Sequence, residues 1–134
     1  MDRKGGPLLK RTILGFALLI GLLVLGLFTA GAMERRHTPI SLALEKAADS
    51  AAAENWDRAG MLLGEAKALW DRGWQADAAL ADHAPMEEID GLFARLLEFR
   101  REEDKEEFTA GCRELSRLVK AMTDAHTPSW WNLM

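Results

Sequence analysis

A chain of 134 residues with a net charge of −4 and a single cysteine has room for one small domain beyond any N-terminal membrane or targeting segment. It excludes an internal disulfide and a cysteine-based zinc site. The charge is uneven: residues 34–134 carry thirteen Lys or Arg against twenty Asp or Glu, a net of −7, and an acidic domain that repels phosphate backbones argues against nucleic acid as a partner.

The first element is residues 13–33, ILGFALLIGLLVLGLFTAGAM, which hold no charge, Pro, Asn or Gln. As a helix rising about 1.5 Å per residue the stretch is roughly 31 Å long, enough to cross the hydrocarbon core of a bilayer. Arg3, Lys4, Lys10 and Arg11 precede it, and Arg35 and Arg36 follow. The positive-inside bias then leaves residues 1–12 in the cytoplasm and the remainder outside the cytoplasmic membrane of a bacterium. The competing reading is a secretory signal cleaved after Ala32, with Ala30-Gly31-Ala32 as the small-residue site. An apolar run this long favours an uncleaved anchor. Ala17/Gly21 and Gly26/Ala30 are small-xxx-small pairs that could support self-association, although small residues are common in membrane helices generally.

Residues 34–126 read as a helical domain. Thr38 and Pro39 suit a helix start, as cap and first helical residue, and Ile40, Leu44, Ala47 and Ala51 then recur at helical spacing to about residue 53. After a break at Glu54-Asn55, the pattern Trp56, Ala59, Leu63, Ala66 and Trp70 forms a narrow apolar seam. Gly73 weakens that helix by about 1 kcal/mol relative to Ala. Trp74, Asp77, Ala78 and Ala81 keep the same face, so the helix is expected to bend there and run on to Asp82.

Asp82-His83-Ala84-Pro85 is the clearest break, because a residue before Pro is biased away from helical angles. A third helix follows, with Met86, Ile89, Phe93, Leu96 and Arg100 in line and Leu92, Leu97 and Phe99 widening the apolar face. Asp104 and Glu107 resemble a capping box. The fourth helix carries Phe108, Cys112, Leu115, Val119 and Met122 and should finish near Ala125, before a tail, residues 127–134, that contains Trp130-Trp131. Trp56 laid on Phe108 suggests two helical hairpins of similar design, fifty-two residues apart.

The fold class expected is therefore all-α: a transmembrane helix followed by a small four-helix bundle of two antiparallel hairpins. Trp56 and Trp70 are expected in the core rather than as the floor of a ligand groove. Trp56→Ala should then cost about 3–5 kcal/mol. Trp74 shares their face, and the Trp130-Trp131 pair either packs over the hairpin ends or lies at the bilayer surface. His83, beside Asp82 and one turn before Glu87, invites a metal site. No His pair at helical spacing exists to complete one, and a junction histidine bonded to backbone or Asp82 is the plainer reading. His37 and His126 are isolated at helix ends. Cys112 is a small buried hydrophobe. The acidic run from Glu102 to Glu107 is a solvated junction that lacks the oxygen spacing of a calcium loop. With no phosphate loop, nucleophile elbow or metal motif, neither a catalytic site nor a cofactor is expected.

Several of these residues also resemble a bacterial family catalogued as domain of unknown function 4363. They are the N-W-D-R-A run at residues 55–59, Trp70 closing that helix, Asp82-His83 before the third helix, and Asn132-Leu133. The resemblance covers the membrane segment and most of the remainder, and implies a short single-pass membrane protein, mostly of Gram-positive and often spore-forming bacteria. It brings no activity, ligand or functional residue. The Ala-rich stretch at residues 75–81 and Trp130-Trp131 depart from the pattern.

The function expected is a membrane-anchored, non-catalytic interaction or scaffold module outside the cytoplasm, with the bilayer and another membrane or envelope protein as partners. Two alternatives are a tetratricopeptide-like peptide binder, where Glu65 breaks the small-residue spacing, and a small-ligand or metal sensor centred on His83.

Overall fold

The computed structural model describes residues 6–78 and 83–126. They form four helices: α1 (Gly6–Ala52), α2 (Trp56–Ala78), α3 (His83–Glu102) and α4 (Lys105–His126). Among the described residues there is no strand.

The apolar stretch and the first helix of the folded part are one element. α1 runs 47 residues with Pro39 inside it, about 70 Å from end to end, so the helix does not start afresh at Thr38 and Pro39. Pro39 removes one rung, because it has no N–H for the Arg35 carbonyl, at a typical cost of about 3 kcal/mol. Burial offsets that cost. His37, Ile40, Ser41 and Leu44, on either side of Pro39, are all buried, and Thr38, expected as a cap, is exposed within the helix. Tertiary packing overrides the local start signal.

Each helix packs on two others: α1 on α2 and α4, and α3 on α2 and α4. Glu45 meets Lys120, Asp49 meets Arg113, and Glu54 meets Lys105, so α1 and α4 run in opposite directions. The seams read from spacing supply the core. Ile40, Leu44, Ala47 and Ala51 of α1, Ala59, Leu63, Ala66 and Trp70 of α2, and all five of the α4 series are buried. On α3 the line from Met86 to Leu96 is buried, whereas Leu97, expected to widen that face, is 43% exposed. Leu97 lies 100° around the helix from Leu96, outside the stripe that α2 and α4 cover.

Two turns of the same design join α1 to α2 and α3 to α4. Glu54 (φ 60°) and Glu103 (φ 52°) adopt the left-handed conformation. In the first turn Glu54 N–H donates to Ala51 and Asn55 N–H to Ser50; in the second Glu103 N–H donates to Arg100 and Asp104 N–H to Phe99. This pair of bonds satisfies the last carbonyls of a helix. The next residue caps the following helix: Asn55 Oδ1 accepts from Arg58 N–H at 3.2 Å, and Asp104 Oδ1 from Glu107 N–H at 3.1 Å. The turns correspond at Asn55 and Asp104, an offset of forty-nine residues rather than the fifty-two obtained by laying Trp56 on Phe108. Those two rings instead face each other edge to face at 5.5 Å.

α3 begins at His83 and not after Pro85. Pro85 falls in the first turn, where N–H groups have no helical acceptor and its missing donor costs nothing. Residues 79–82, including Ala81 and Asp82, lie outside the described residues.

Candidate functional site

α2 and α3 carry the most distinctive side chains at one end of the folded part. Trp70 and Trp74 are four residues apart and so share a face, which places two indole N–H groups side by side and calls for an acceptor opposite. Asp90 of α3 supplies it. Trp70 Nε1 donates to Asp90 Oδ1 at 2.8 Å, and Trp74 Nε1 donates to Asp90 Oδ2 at 3.2 Å. Trp70 has no exposed surface and Trp74 is 37% exposed. Lys67 stands 3.9 Å from the same carboxylate and is paired with Asp71; its ammonium also lies 5.7 Å from the Phe93 ring centroid. The carboxylate uses both oxygens to fix two tryptophans, a positioning role rather than an acid–base one.

His37 lies in the middle of α1, not at a helix end. It is buried, with its ring 6.3 Å from that of Trp70 and Nδ1 3.0 Å from Thr123 Oγ1 of α4, so it ties α1 to two neighbours. Its position was readable from spacing: 37, 40, 44, 47 and 51 form one stripe once no helix start is placed at Pro39.

A polar seam continues from it along α1 and α4. Ser116 Oγ is within reach of the Ser41 carbonyl at 3.4 Å and of Glu45 Oε1 at 3.1 Å, and Lys120 pairs with the same carboxylate oxygen. The hydrogen bond from Lys120 holds the Glu45 carboxyl below the usual carboxylate range. Ser116 has a carboxylate neighbour but no base–orienter chain, and Lys120 is engaged by that same carboxylate. The seam locks two helices together.

The remaining expected site residues fall apart spatially. Trp56, at the start of α2, packs partly buried against the core, at its edge rather than in its centre. The backbone of His83 opens α3, and its side chain lies outside the described residues, as do Trp130 and Trp131. Among the described residues no three His, Cys, Asp or Glu side chains converge to hold a metal. Cys112 is fully buried, and burial pushes its thiol up to about 12, far from a reactive thiolate.

In the N-terminal half of α1, residues 6–28 are exposed on every face. Thr12 Oγ1 donates to the Leu8 carbonyl at 2.9 Å, and Thr29 Oγ1 lies 3.0 Å from Leu25 O and 2.9 Å from Gly26 O. The hydroxyls of this stretch are thus satisfied by the helix itself.

These features define, among the described residues, an all-α protein with one helix long and apolar enough to cross a membrane. The family model described as Domain of unknown function (DUF4363) matches residues 27–133, and the chain belongs to that family. The match starts near the end of the apolar stretch and takes in α2, α3 and α4. No curated protein and no solved structure matches the chain.

Proposed function

We propose that this is a single-pass membrane-anchored protein of the bacterial envelope. In this reading residues 1–12 lie in the cytoplasm, and two antiparallel helical hairpins outside it act as a non-catalytic interaction or scaffold module. The observation that carries the reading is the exposure of α1 on all faces over residues 6–28. A helix apolar all round needs an apolar surrounding, and its self-satisfied hydroxyls are what a lipid environment demands. Helix continuity through Ala30, Gly31 and Ala32 into the core supports a retained anchor over cleavage, since a scissile segment must be extended to be cut. A tetratricopeptide-like stack would leave an open concave face, whereas packing of α1 against both α2 and α4 favours a closed bundle.

The partner is another membrane or envelope protein, met by the acidic end of the bundle. Glu54, Asp57, Glu102, Glu103, Glu106 and Glu107 are exposed at the two turns, the end farthest from the apolar half, against Arg58, Arg101 and Lys105. Carbonate extraction followed by intact mass tests the anchor: full-length chain in the membrane pellet supports it, and a soluble product beginning at Met33 refutes it. Labelling of Met61→Cys in intact cells by an impermeant maleimide tests the topology. Photo-cross-linking from Glu106 tests the acidic end; an adduct lost on reversing Glu102, Glu103 and Glu107 to Lys supports it, and no adduct from Glu106 refutes it.

A further inference from the structure

The register of the folded part against α1 fixes its height above the apolar stretch. His37 and Trp70 are in ring contact, and α1 and α2 run in opposite directions from the short turn at Glu54-Asn55. Trp74 lies one turn, about 6 Å, beyond Trp70, level with residue 33 of α1, the last of the uncharged stretch. By the same register Arg72, exposed on α2, stands level with Arg35, exposed on α1. The only polar atom of the Trp74 side chain is taken by Asp90, so what Trp74 offers outward is carbon. An indole at that level, flanked by arginines, has the composition that membrane–water interfaces favour.

We infer that Trp74, with Arg35 and Arg72, seats the bundle on the bilayer that α1 crosses, so that the α2–α3 end rests in the lipid interfacial zone. The inference rests on the anchor reading above. Glu34, Glu87 and Glu88 are exposed close to the same height, so this rim has no basic excess. The seat therefore recognises the zwitterionic interface itself and not an anionic headgroup.

The test uses the full chain in phosphatidylcholine proteoliposomes, with an environment-sensitive fluorophore on Gln75→Cys, Met61→Cys or Leu19→Cys; buried Cys112 stays unlabelled. Met61 stands level with residue 46, about 20 Å above residue 33. A nitroxide on the lipid headgroup should quench the Gln75 label at least about threefold more than the Met61 label, and Trp74→Ser should at least halve that excess. Equal, weak quenching at Gln75 and Met61 overturns the seat. If an acyl-chain nitroxide still quenches Leu19, the anchor survives that result; an unquenched Leu19 label overturns the anchor and the seat together. Quenching at Gln75 that requires added phosphatidylglycerol, or that Trp74→Ser leaves unchanged, also overturns the proposal.

Discussion

Asp90→Ala separates the two tryptophans from their shared acceptor, and its cost follows from where each indole sits. Trp70 is fully buried, so its N–H loses its carboxylate acceptor, a loss of about 1–3 kcal/mol. Trp74 is partly exposed and can turn its N–H to solvent, adding little. The Asp90 side chain is 40% exposed, so water recovers part of the loss, and the expected cost is about 2 kcal/mol. For a folded part near a hundred residues that is about 10 °C in Tm. The assay is near-UV circular dichroism of the full chain in detergent micelles, run as a double-mutant cycle with Trp70→Phe. Because Trp70→Phe leaves no N–H to strand, Asp90→Ala should cost at least about 1 kcal/mol less in that background. A single Asp90→Ala within about 0.5 kcal/mol of wild type, or strict additivity in the cycle, would refute the clamp.

Glu45 carries a pH signature. Its folded pKa is depressed, first by the hydrogen bond from Lys120, so the stability it contributes is present above the ordinary carboxylate range. That stability is lost as pH falls through the folded value, and urea midpoints from pH 7 down to pH 3 should fall less steeply in Glu45→Gln than in wild type. Gly64 and Gly91 are exposed helical positions with nothing near an added Cβ, so Gly64→Ala and Gly91→Ala should each stabilise by about 0.5–1 kcal/mol. Gly111→Ala, whose Cβ would stand 2.8 Å from Leu96 Cδ2, should fail to do so, as thermal melts would show. Glu103→Gly relieves a left-handed non-glycine residue and should raise stability by up to about 1 kcal/mol in the same melts. Cys112 should resist an aromatic disulfide reagent at pH 8 in the folded chain and react fully in 6 M guanidinium.

The apolar seams were legible because burial in helices writes itself as a 3–4 spacing, and Phe108, Cys112, Leu115, Val119 and Met122 follow it without exception. The start signal at Thr38-Pro39 misled for a physical reason. Capping preference is a local term of about 1 kcal/mol, and at this point a helix already under way is held by α2 and α4 on both sides of the proline. The same misplaced boundary hid His37, which looked terminal and is central. Asp90 was hidden differently. In the sequence it is one acid among several on α3, and only the approach of α2 shows that two indoles point at it. In the polar seam, Ser41 and Glu45 are separated from Ser116 and Lys120 by more than seventy residues, a pairing that no local pattern encodes.

Continuity of α1 also ties the azimuth of the bundle to the azimuth of its apolar half. With no loop between them, one residue inserted near Ala32 would turn everything beyond it by about 100° and raise it about 1.5 Å, and seven would bring the facing back to within about 20° but lift it a further turn and more. A chain built this way cannot swivel to find a neighbour. The face it shows to anything beside it is set by counting residues, and it keeps the phase with which α1 enters the bundle.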